Sequence, residues 1–207
     1  APTHAAADDF LPVGQIVRQR RVKALFAACF AMSAAHGALY VFYSIHLADH
    51  HYSKTEVGVL WSLGVVAEIL VFLAMPRVSR RFSLGRILGA CFAAAVLRFL
   101  VIGWGVESLS MVIFAQVLHG LTFGAYHAAA IAAINQWFSG RSQSRGQALY
   151  SSISFGAGGL VGGVLSGWTW DLVGAAWTFS LSALFALIGL ILIAGWVQGG
   201  ARSPAAH

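Results

Sequence analysis

Gln116, His119, Phe123, Tyr126 and His127 lie inside an apolar run, in the stretch QVLHGLTFGAYH. Their spacing collects them on one side of a helix. Histidine can exchange a proton near neutral pH, and glutamine and tyrosine supply hydrogen bonds. A polar stripe in lipid is costly unless it faces protein or water, so it points to a substrate or ion path. Three more residues belong with it by depth. At 1.5 Å per residue and with the midplane ~15 Å in, His36, Glu68, Arg98 and His119 all fall about eight to twelve residues from the nearer end of their segments. They therefore lie near the middle of the bilayer. Glu68 and Arg98 are the formal charges at that depth and have opposite signs, so pairing is expected, directly or through His119. Two meanings stay open: an ion pair that locks two helices, or a proton-coupling group in transport.

The elements that must position these residues follow from composition. Hydrophobic residues make up 58% of the 207-residue chain and charged residues 10%. A water-soluble domain carries roughly a quarter charged residues, so that class is excluded. The apolar residues form six blocks, at 24–47, 55–75, 87–104, 109–138, 147–167 and 175–197. Each is near the ~20 residues needed to cross a ~30 Å hydrocarbon core. Only helices satisfy their backbones within a single span, so the expected fold is all-α integral membrane, with six transmembrane helices. The domain reading is a cytoplasmic linker over 1–23, a six-helix bundle over 24–197 and a cytoplasmic tail over 198–207. Because the chain opens APTHAAADDF, it is expected to begin inside a longer protein.

Orientation comes from Lys and Arg. Arg18, Arg20, Arg21, Lys23, Arg77, Arg80, Arg81, Arg86, Arg141, Arg145 and Arg202 fall on one side, and Lys54 on the other. The positive-inside rule puts both chain ends in the cytoplasm, with the bundle in the plasma (inner) membrane. The same asymmetry accounts for the net charge of +6 without nucleic acid.

Other patterns refine the spans. Ser33, His36, Tyr40 and Ser44 form a second polar stripe, in the first span, and the two serines suit ordinary interhelical hydrogen bonds. Trp61, Gly64 and Glu68 share a face of the second, where Trp61 is either an interfacial anchor or the wall of a cavity. Ser53 and Glu56 have capping-box spacing. The fifth span carries Gly158, Gly159, Gly162, Gly163 and Gly167, whose GxxxG steps read as helix packing. Cys29 and Cys91 sit in apolar runs and read as small core residues. The string HLADHH, with His46, His50 and His51, raises the question of a metal, but the other histidines are scattered and a solvated loop is the simpler reading. No metal site and no cofactor are assigned.

Several stretches together resemble a known family. They are HGALYVFYSIHL, YSKTEVGVLWSLGVVAEI, LRFLVIG, QVLHGLTFGAYHAA and GRSQSRGQALYSSISFGAGGLVGG, spread over most of 36–163. The chain is similar to the carboxy-terminal six-helix half of a major facilitator superfamily transporter, and within it to the 3-phenylpropionate permease group, relatives of the lactose permease. The resemblance implies a 3+3 inverted repeat. It also implies a central cavity lined by the first, second, fourth and fifth spans, and proton coupling by Glu68, Arg98 and His119. One departure is that the second acid of lactose permease relatives, one turn beyond the histidine, is here Thr122. The inner-loop segment MPRVSRRFSLGR also lacks the superfamily's aspartate.

The resulting expectation is a secondary active transporter rather than an enzyme. It would carry a small carboxylate, such as the aromatic acid phenylpropionate, with protons by alternating access. Substrate contacts are assigned to His36, Tyr40, Trp61, Gln116, Phe123, Tyr126 and His127. Its partners would be the bilayer, protons, the small-molecule substrate and an amino-terminal six-helix half, in the same or a separate chain. The alternatives are a non-transporting assembly or sensor protein with structural buried charges and, more remotely, a metal-dependent membrane enzyme around HLADHH.

Overall fold

The computed structural model describes residues 12–200, so most of the expected linker and tail lies outside the described residues. Within them the regular structure is entirely helical. After a short helix at Val13–Arg18, six helical segments are long and apolar enough to cross a membrane: Arg20–Asp49, Lys54–Arg81, Leu84–Trp104, Leu109–Trp137, Gly140–Val173 and Ala175–Gly195. They match the six apolar blocks in number and order. Most run longer, because polar and basic first and last turns continue the helices past the apolar runs.

Local chemistry fixes several ends. Ser53 and Glu56 close the expected capping box: the Glu56 amide donates to Ser53 Oγ at 3.3 Å, and the Ser53 amide donates to Glu56 Oε2 at 2.7 Å. Pro76 is held inside the second span near its C-terminal end. HLADHH is only in part the solvated loop expected of it: residues 46–49 form the last turn of the first span, and His50 and the exposed His51 lie in the turn beyond. His46 is buried, its Nε2–H donates to the Ile102 carbonyl at 3.0 Å, and His50 Nδ1–H donates to the His46 carbonyl at 2.8 Å. Among the described residues no group of three or more His, Cys, Asp or Glu side chains is placed to hold a metal.

Packing follows a repeating pattern. The first span packs on the fifth and sixth, the fourth on the second and third, and the third on the sixth. Exchanging spans one to three with spans four to six leaves these pairings unchanged, which is the contact pattern of two similar three-helix units. Close approaches occur at corresponding places. Gly37 in the first span meets the Gly162 backbone of the fifth, and Gly120 in the fourth meets the Ala67 carbonyl of the second. A side chain at any of these positions would run into backbone.

The glycine stripe is narrower than its spacing implied. A Cβ on Gly158 or Gly162 would strike the carbonyls of Phe30 or Ala34, whereas one on Gly159, Gly163 or Gly167 meets nothing within 4 Å. Residues one position apart are about 100° apart around a helix, so the second row of glycines faces away from the first span.

Three spans are not uniform α-helix. The first breaks at His36, between Arg20–Ala35 and Gly37–Asp49. The fourth contains a π-helical segment at Gly120–Ala125 and the fifth another at Ser152–Gly158. π segments insert extra residues into a turn and are frequent at functional sites. All three irregularities border the same recess.

Candidate functional site

Arg98 anchors the site from the third span. It is fully buried, with 0% of its surface exposed. Its Nε donates to the Ala115 carbonyl at 2.9 Å, Nη1 to Thr122 Oγ1 at 3.1 Å, and Nη2 to Gln116 Oε1 at 3.2 Å. Nη1 also lies 3.5 Å from His36 Nε2. His36 Nδ1 is 2.9 Å from the Met32 carbonyl, which can only accept, so Nδ1 carries the proton and Nε2 faces Arg98 as an acceptor. Every one of these partners is neutral. Among the described residues no carboxylate comes within 4.0 Å of the guanidinium.

The expected pairing of Glu68 with Arg98 is therefore not formed directly. Glu68 instead faces His119, with Oε2 at 3.9 Å from Nε2. Packing of the second span on the fourth explains the choice. Gly64 lies against His119 and Gln116, and Gly124 lies against Glu68, so the two helices approach along this face and bring Glu68 to His119. Gln116, one turn earlier on the fourth span, also borders Gly64, and its Oε1 accepts from Arg98 of the third span. The polar stripe at 116–127 thus serves two partners. His119 Nδ1 is buried with no protein partner.

Beside this network a small, partly open recess lies between the first, fourth and fifth spans. His36, Tyr40, Phe123, Tyr126 and His127 line it. Met32, Ser33, Thr122 and Phe155 complete the wall. The inner side is formed by His36 and Thr122, the groups that touch Arg98. The rest is largely aromatic: His119 stacks on Phe123 at 5.2 Å, Phe123 lies 4.3 Å from His127, and His127 stacks on Phe155 at 5.3 Å.

Trp61 is elsewhere. Its Nε1–H donates to Ser44 Oγ at 3.0 Å and its ring meets Tyr43 edge-on at 5.3 Å, so it ties the first and second spans together. Gln116 also stays out of the recess wall, because its side chain is spent on Arg98. Phe155 escaped the sequence reading, since it sits inside a glycine-rich run that reads as packing. The signal that was available was an aromatic residue interrupting small residues near the inner end of a span.

Comparisons with known proteins agree with this architecture. Residues 5–181 match the MFS_1-like family. The chain is 34% identical over 168 residues to a protein of Escherichia coli (strain K12) described as a probable 3-phenylpropionic acid transporter, covering 78% of this chain and 43% of that protein. Its fold is similar to that of the nucleoside transporter NupG, crystallised as a D323A mutant, with a TM-score of 0.72 at 14% identity. That match covers 89% of this chain and 49% of NupG, so the chain spans less than half the length of either relative. The chain, a bundle of six helices long and apolar enough to cross a membrane, belongs to the MFS_1-like family of the major facilitator superfamily.

Proposed function

We propose that this chain is the carboxy-terminal half of a proton-coupled symporter for small carboxylates, of the phenylpropionate type. The observation that carries the reading is Arg98, a buried cation whose partners are all neutral, placed directly behind an aromatic-lined recess. A buried charge without a countercharge is costly. A substrate carboxylate entering the recess approaches that charge through His36 and Thr122, while its apolar body meets Tyr40, Phe123 and Tyr126. The similarity to the Escherichia coli protein described as a probable 3-phenylpropionic acid transporter supports the same substrate class.

Proton coupling is assigned to Glu68 with His119, and Arg98 sets the local field. In this mechanism Glu68 takes a proton from one side of the membrane and loses it on the other, and His119 Nε2 is the group it engages when ionised. Alternating access then needs a second wall opposite the recess. The recess is small and partly open, as suits one wall of a shared cavity. An amino-terminal six-span half supplies the other wall, and both ends of this chain lie in the cytoplasm of the inner membrane.

The test uses the full-length protein in proteoliposomes with labelled 3-phenylpropionate. Glu68→Gln should lose accumulation driven by a proton gradient and retain counterflow exchange, because exchange needs no net proton movement. Equal loss of both would remove Glu68 from coupling. No uptake of any carboxylate by the unaltered protein would overturn the substrate assignment.

A further inference from the structure

The recess has a feature that charge alone does not explain. Phe155, on the π-helical segment Ser152–Gly158, forms part of the wall and remains 48% exposed. One face of its ring is stacked on His127, at 5.3 Å and 11°. His127 is itself fixed, its Nδ1–H donating to the Phe123 carbonyl at 2.8 Å. The segment carrying Phe155 is pinned to the first span on either side of it. Ser154 Oγ donates to the Cys29 carbonyl at 3.1 Å and lies 3.2 Å from Ser33 Oγ, and Gly158 abuts the Phe30 carbonyl. With Ser154 held against the first span, the next residue along projects past it, toward the recess. The π segment of the fourth span delivers Thr122 and Phe123 to the same recess.

We propose that Phe155 is the specificity-determining residue for a flat aromatic ring in the substrate. The proposal rests on the transport reading above and deepens it. The substrate's carboxylate lies toward Arg98, and its ring packs on the part of Phe155 that His127 leaves free. Aromatic rings gain from such offset or edge-on pairing beyond simple burial, whereas a puckered saturated ring of similar size gains only burial. The rigid backing of Phe155 by His127 makes the slot pre-organised, which limits the entropy lost on binding.

The experiment compares uptake of 3-phenylpropionate and 3-cyclohexylpropionate by the full-length protein in proteoliposomes. Both acids carry the same chain and carboxylate. The unaltered protein is expected to prefer the phenyl acid. Phe155→Leu should lower that preference about three- to tenfold, the range of one aromatic pair, through a larger fall for the phenyl acid than for the cyclohexyl acid. Phe155→Trp should keep the preference. An unchanged preference in Phe155→Leu overturns the proposal, as does an equal fall for both acids. If the unaltered protein takes up both acids equally, this proposal alone fails. If it takes up neither, the carboxylate-transport reading fails and the proposal with it.

Discussion

Arg98 Nη1 and the Thr122 hydroxyl meet at 3.1 Å, and the same hydroxyl reaches the His119 carbonyl at 3.4 Å. Thr122 accepts from the cation and donates to the His119 carbonyl, so one small residue joins the third span to the π segment of the fourth. Where lactose permease relatives place an acid, this chain has a neutral oxygen. Thr122→Val keeps the shape and removes the oxygen, leaving a buried guanidinium donor unpaired. It should destabilise the protein by about 1–3 kcal/mol, read from thermal or denaturant unfolding in detergent, and Thr122→Ser should restore most of the loss.

The same contact makes a charge test possible. Thr122→Asp sets a carboxylate beside Arg98 and supplies internally the countercharge assigned to the substrate. Carboxylate binding should weaken more than tenfold, or about 1.4 kcal/mol, measured by equilibrium binding of 3-phenylpropionate. Unfolding temperature should hold or rise, because a buried cation gains a partner. Unchanged binding would mean that the substrate's charge is met somewhere other than at Arg98.

Gly162 and Gly163 are neighbours with opposite expected behaviour. A Cβ on Gly162 runs into the Ala34 backbone, which cannot yield without separating the first and fifth spans. Gly162→Ala should cost about 1–3 kcal/mol, as overpacking of a close interface does. A Cβ on Gly163 meets nothing within 4 Å. Gly163→Ala should be neutral or stabilise the helix by up to about 1 kcal/mol, the propensity difference of the two residues. Equal effects in an unfolding assay would contradict the one-sided packing.

These positions mark how far the sequence could be read. The six spans, their order and the Ser53–Glu56 cap were legible because each rests on local pattern: apolar length, or a three-residue spacing. Of the four residues expected at one depth, His36 meets Arg98 and Glu68 meets His119. Which of them touch was not legible. Pairing depends on helix rotation, and the π segments at Gly120–Ala125 and Ser152–Gly158 alter rotation with no periodic mark in the sequence. Opposite charges at one depth pointed to Glu68 with Arg98, directly or through His119. Close packing at Gly64 and Gly124 turned Glu68 to His119 instead, and left Arg98 to neutral groups. Phe155 was hidden in the same way, inside a run whose small residues do pack, but on one face only.

His46 yields the last prediction, at the outer end of the bundle. The third span ends at Trp104, so the carbonyls of its last turn have no amide partner within the helix. His46, from the first span, donates to one of them, at Ile102, and Tyr52 donates to the carbonyl of Val106 just beyond, at 2.8 Å. The two side chains together cap the outer end of the third span from the loop side. His46→Leu keeps the bulk among Trp170 and Phe179 but strands the Ile102 carbonyl in a buried place. It should cost about 1–3 kcal/mol, the penalty of an unsatisfied buried acceptor. Tyr52→Phe, at a site only partly buried, should cost about 0.5–1.5 kcal/mol. Hydrogen exchange should place the loss in both cases at the end of the third span near Trp104, with the inner end near Leu84 unaffected. Exchange that rises evenly along the whole span would show that His46 acts through general packing and not as a cap.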